Sequence, residues 1–199
     1  SGFDPDLTIS CPPCGPFSSL MEWNYGRMDL TRAKAHLERG LSHLRFTIDL
    51  LRARHTAGKY FIFEHPPTAK SWAEPELKEL RETEGVVFVR VDLCQFGLRA
   101  GEGGPAMKPT GILTNCPEIA RELSVRCPRT HQHDHLVNGL AKLAEDYTPE
   151  FCRAIGRGLR RQLKKDGAHV LAEDDGCDSE PGDDHGSQEP EEVDTEADE

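Results

Sequence analysis

No stretch of this sequence is apolar for long enough to cross a bilayer. Its longest apolar runs, YFIF and GVVFV, fall far short of the roughly 20 residues that a membrane helix needs. Basic residues are missing altogether from Glu173 to Glu199, where 14 of the 35 acidic residues lie. The net charge of −11 therefore belongs to this tail, because the rest carries 21 acids against 24 Lys and Arg. The tail also lacks apolar side chains whose burial would offset the entropy of ordering it, so residues 171–199 are expected to be disordered. A solvating role, or contact with a basic surface, suits such a segment.

A regular cysteine pattern is lacking too. Seven cysteines, an odd number with scattered spacing, argue against a secreted disulfide framework and for a reducing intracellular compartment, nucleus or cytoplasm. The opening Ser-Gly-Phe-Asp shows neither a signal-peptide pattern nor an initiating Met, and the chain is expected to be cut from something longer. No internal repeat is present.

What is there reads as one α/β domain over residues 1–170. A short strand, Leu7 to Ser10, ends where Pro12 and Pro13 remove two backbone donors. A loop is expected through Met28, then a long helix from Arg32 to His55, capped by Thr31. Its apolar stripe is Leu37, Leu41, Leu44, Ile48 and Leu51. KYFIFEH predicts a buried strand, Glu74 to Glu84 a short helix, and VVFVRVD a third strand. RAGEGGPAMKP is expected to be flexible and TGILTN to be a fourth strand. Helices are predicted over Pro117 to Val125 and from Pro149, with Thr148 as cap. Alternating strands and helices predict a mostly parallel sheet with right-handed crossovers and flanking helices.

Chemistry in such sheets gathers at the carboxyl ends of strands, and CPPCGPFSS and EHPPTAKSW both fall there. Cys14, on a rigid Pro-Pro turn followed by small residues, is presented as a nucleophile, its pKa open to lowering by nearby amides. Composition alone favours the other reading of this residue, a buried structural cysteine. A Cys-Pro-Pro-Cys redox pair is opposed by Gly15 and Pro16, and a zinc knuckle lacks a nearby second pair. Glu64 ends the most apolar strand, where burial raises a carboxylic acid's pKa and lets it donate near neutrality; a salt bridge to an arginine such as Arg90 is the alternative. A cysteine nucleophile and a carboxylic acid on adjacent strand ends suit addition of the thiolate to C6 of a pyrimidine, with the acid on N3 and the base out of its stack.

PPCGPFSSL resembles the catalytic loop of cytosine-C5 DNA methyltransferases, and FIFEHP resembles the strand end that carries their catalytic glutamate. CQFG followed by MKPTGILTN is similar to a block of the phage-type members. The ordered series PPC..FS, EHP..A.SW, KPT...TN and C...H.H resembles methyltransferase-like segments of retroelement polyproteins, over Asp4 to Leu159. The resemblance implies a partial Rossmann-like, class I methyltransferase fold, with DNA as partner and S-adenosylmethionine as methyl donor. It implies Cys14 as nucleophile and Glu64 as acid, with Ser18, His65, Gln95, Lys108 and Asn115 as substrate contacts. Gly15 stands where the family usually has Gln, and His65 where it usually has Asn. The family's glycine-rich cofactor loop precedes its cysteine loop and has no counterpart here, so the chain as given is expected to be inactive or a fragment. The alternative is a non-catalytic nucleic-acid-binding or structural module of a retrotransposon-type polyprotein.

RCPRTHQHDH places Cys127, His131 and His133 close together, with His135 beyond. Cys and two His form a partial zinc set, with no assured fourth ligand; exposed loop histidines are the alternative reading. A metal there staples the loop rather than doing chemistry. Arg153, Arg157, Arg160, Arg161 and Lys164 line one side of the last helix, facing either phosphates or solvent. Trp23 and Trp72 follow the two loops and read as base-stacking or core residues.

Overall fold

The computed structural model describes residues 4–100, 103–136 and 140–167, so the acidic tail lies outside the described residues. The element order is β1 (Leu7–Ser10), α1 (Ser19–Tyr25), α2 (Leu30–Thr56), β2 (Tyr60–His65), α3 (Pro75–Glu82), β3 (Val87–Asp92), β4 (Pro109–Thr114), α4 (Pro117–Leu123), α5 (Leu140–Leu143) and α6 (Pro149–Lys165). Among the described residues, no helix is long and apolar enough to cross a membrane.

The four strands form one open sheet in the order β1-β2-β4-β3. β1 pairs with β2 in parallel, while β4 runs antiparallel to both β2 and β3. The sheet is therefore mixed, which corrects the expectation of a mostly parallel one. The cause lies in the connection 93–108. A parallel return needs a crossover, usually a helix, whereas the described residues of this segment hold a single 3-10 turn over Leu93–Phe96, and the chain returns antiparallel.

β2 divides the core by its alternation. Phe61 and Phe63 point to one face and pack with Leu44, Ile48 and Leu51 of α2 and Leu77 and Leu80 of α3. Ile62 points to the other face and packs with Ile112, Ile119, Phe151 and Ile155, under α4 and α6. The last three members of the predicted apolar stripe of α2 are buried, whereas Leu37, near its start, is exposed. Asp29, not Thr31, caps this helix, its Oδ1 accepting from Arg32 N at 3.0 Å. Thr148 caps α6 as expected, accepting from Phe151 N.

α1 replaces part of the expected loop. Ser18 starts it, accepting from Met21 N at 3.2 Å and donating to the Gly15 carbonyl at 2.9 Å. The cysteine loop is thereby seated between α1 and α2. Phe17 is buried, and Pro16 lies so close to Gly40 of α2 that a Cβ there would meet it at 2.7 Å.

Candidate functional site

β1 and β2 run in parallel, so the cysteine loop and the Glu64 turn leave the same edge of the sheet. β4 runs the opposite way and starts there, which brings Lys108 to that edge, while β3 ends there with Asp92 opposite Pro109. One sheet edge thus carries Cys14, Glu64, Lys108 and the turn after β3.

Adjacent residues of β2 go to different places because side chains alternate across a sheet. Glu64 faces the α6 side. There Tyr147, just before α6, and the charge of Lys108 both favour its carboxylate form. Cys11 Sγ lies 3.1 Å from the Tyr147 phenol oxygen. Lys108 Nζ donates to the Ala144 carbonyl at 2.6 Å and lies 6.0 Å from the Tyr147 ring centroid.

Burial raises the Glu64 pKa, with Lys108 and Tyr147 opposing that shift. Burial also raises the Cys14 pKa, and the Glu64 charge raises it further while Lys108 lowers it. The expected lowering of the Cys14 pKa is thus reversed, because loss of solvation outweighs its backbone hydrogen bond. Protonation of Glu64 removes one of the effects that hold the thiol neutral. The Tyr147 hydroxyl is pushed up by burial and by the Glu64 charge.

His65 faces the opposite side and is fully buried. Its Nε2 lies 2.9 Å from the Pro12 carbonyl, so that nitrogen carries the proton, and Nδ1 accepts from Ser71 Oγ at 2.6 Å. Both nitrogens serve to join the two loops, so the position the resemblance gives to substrate contact is a structural clamp. Ser18 is likewise occupied as the α1 cap. Asn115 lies at the other end of the sheet, bonding Phe61 N at 2.8 Å, the Lys59 carbonyl at 2.9 Å and His55 Nδ1 at 3.1 Å. Gln95 is exposed and reaches Cys94 Sγ at 3.7 Å. Of the residues assigned by resemblance, the structure brings Cys14, Glu64 and Lys108 together.

Beside them, Cys94, Cys127, His131 and His133 place their ligand atoms within 4.8 Å of one another, a set able to hold a metal ion. Cys94 is the member that sequence reading missed. It stands in the turn after β3, and only the fold brings it to the later loop.

The described residues do not fit S-adenosylmethionine. Gly103 and Gly104, in the segment richest in glycine, lead into a bridged loop rather than a helix, and Gly104 N is taken by Asp134 Oδ2 at 2.6 Å. The cationic stripe of α6 is largely engaged within the protein: Arg157 and Arg161 pair with Glu122, and Arg153 pairs with Glu150. Trp72 is a core residue, its Nε1 donating to the Pro66 carbonyl at 2.8 Å and its ring packed edge-on to Phe63 and Phe88. Trp23, on α1, is 75% exposed. No protein-family model matches the chain, and neither a curated protein nor a solved structure matches it.

Proposed function

We propose that this domain carries the base-attacking half of a cytosine-C5 DNA methyltransferase-type site, on a partial Rossmann-like sheet. The observation that carries the reading is the placement of Cys14, in the loop after β1, and Glu64, near the end of the adjacent parallel strand β2, at one edge, coupled through charge and flanked by Lys108. In this mechanism Cys14 loses its proton to solvent and its sulfur bonds to C6 of the pyrimidine. The C5=C6 electron pair moves toward C5, while protonated Glu64 passes its proton to N3. Lys108 favours the thiolate. No methyl-transfer step is derived, since the residues present do not hold the donor.

A nucleic-acid partner is supported by the surface next to the cysteine loop. A cavity of about 590 Å3 between α1 and α2 is lined by Arg27, Arg32, Arg39 and His36, among others. His36 and the Pro16 carbonyl share the Tyr25 hydroxyl, at 2.9 and 3.1 Å, which ties this basic groove to the loop. Exposed Trp23, on the same helix as groove residues Met21 and Asn24, offers a stacking face.

Addition to C6 labilises the hydrogen on C5, so exchange of that hydrogen with solvent tests the reading without a methyl donor. The expected result is exchange from DNA cytosine that Cys14→Ser abolishes and Glu64→Gln slows by roughly 100-fold or more. Folded protein that binds cytosine DNA and gives no exchange above the Cys14→Ser background would overturn it.

A further inference from the structure

We propose that Cys94, Cys127, His131 and His133 are the four ligands of one structural zinc(II) ion. The proposal stands on geometry separate from the Cys14 reading. His131 Nε2 and His133 Nε2 lie 3.0 Å apart, and Cys127 Sγ lies 3.6 and 3.4 Å from them. Cys94 Sγ, from a segment far away in sequence, lies 3.3 Å from His133 Nε2. Zinc bonds of about 2.3 Å to sulfur and about 2.0–2.1 Å to nitrogen give a tetrahedron with edges of about 3.3–3.8 Å. The observed separations are close to these edges, as expected of four atoms converging on a single point.

The surroundings suit a bound thiolate. Arg129 holds a left-handed backbone, φ 60°, unusual for a residue with a side chain, and this turn aims its N–H at Cys127 Sγ across 3.3 Å. Such donors outside the ligand set orient and stabilise metal-bound sulfur. Cys127 itself is held by its N–H donating to Asp92 Oδ2 at 2.9 Å. Two thiols and two neutral imidazoles take up Zn2+ with release of two protons, leaving a site of zero net charge. Four protein ligands fill a tetrahedron, so the ion has a structural rather than a catalytic role.

Its effect is to fasten the loop after α4 to the turn after β3. Asp134, next to the ligand His133, exchanges backbone hydrogen bonds with the strap leading to Lys108: Asp134 N donates to the Pro105 carbonyl and Met107 N to the Asp134 carbonyl, each at 2.9 Å. Zinc thus sets the position of the segment that delivers Lys108 to the sheet edge.

The test is metal analysis of the full chain purified without chelator, followed by replacement of the metal with cobalt(II). One zinc per chain is expected, with the cobalt form showing tetrahedral ligand-field bands and charge transfer from two thiolates. Cys94→Ala and His133→Ala should each alter those bands, whereas Cys152→Ser, at an exposed cysteine elsewhere, should not. Should Cys94→Ala fail to fold, the charge-transfer intensity of the unmutated protein still counts its thiolates. Folded protein that retains no zinc and holds cobalt only octahedrally, a count other than two thiolates, or a Cys94→Ala spectrum identical to that of the unmutated chain would overturn the proposal.

Discussion

His65 donates from Nε2 to the carbonyl of Pro12 across 2.9 Å, joining the end of β2 to the turn that presents Cys14. Burial lowers the imidazole pKa from 6.5 to about 4, with the Pro12 hydrogen bond opposing that shift. The folded protein therefore refuses a proton that the unfolded chain takes up between those two values. Stability from this group is fully present above pH 6.5 and is lost as pH falls toward 4.

The loss amounts to about 3 kcal/mol for this residue. Urea unfolding of the unmutated protein and of His65→Asn, followed from about pH 7 down to about pH 4, isolates it, because the other titrating groups are common to both. The unmutated protein should lose more stability than the variant across this window. Parallel profiles would show that His65 is not held neutral by the fold.

Glu64 and Lys108 act on Cys14 with opposite signs. Glu64→Gln removes a negative charge and should move the pH profile of Cys14 alkylation to lower pH. Lys108→Met removes a positive charge and should move it to higher pH. The readout is mass spectrometry that resolves the Cys14 peptide, since Cys11 faces the same two charges. Unchanged profiles in both variants would separate Cys14 from the Glu64–Lys108 pair.

Gly156 and Gly158 lie two residues apart in α6 and should respond oppositely to alanine. A Cβ on Gly156 meets nothing within 4 Å, so Gly156→Ala gains helix propensity and should stabilise by about 0.5–1 kcal/mol. A Cβ on Gly158 would stand 2.7 Å from Ile119 Cα and 3.0 Å from the Glu118 carbonyl oxygen. Gly158→Ala must push α4 and α6 apart and should destabilise by about 1–3 kcal/mol. Thermal unfolding of the two variants checks both signs.

Much of this architecture is legible from local pattern. FIF in β2 declares a buried strand, and Leu44, Ile48 and Leu51 mark the buried face of α2. α1 escapes notice because seven residues beginning in a Ser-Ser loop carry little periodicity. Asp29 and Thr31 both satisfy the capping rule, and only the observed helix start decides between them. Strand order is a long-range property, and the helix-poor connection 93–108 is the one local sign that β4 turns back.

The sites divide in the same way. Cys14 and Glu64 are visible because each lies beside a proline pair that follows a strand. Tyr147 and Cys94 are not, because each reaches its cluster through tertiary packing. Alternation along β2 also explains why His65 leaves the site that its neighbour Glu64 enters.

The most direct test of the central reading is covalent capture by DNA carrying pyrimidin-2-one in place of cytosine, a ring that accepts a thiolate at C6 without a methyl donor. Peptide mass mapping should place one adduct on Cys14, retained in Cys11→Ser, reduced in Glu64→Gln and absent in Cys14→Ser. Folded protein that binds this DNA and yields no adduct, or yields it on Cys11 with Cys14 untouched, would contradict the account.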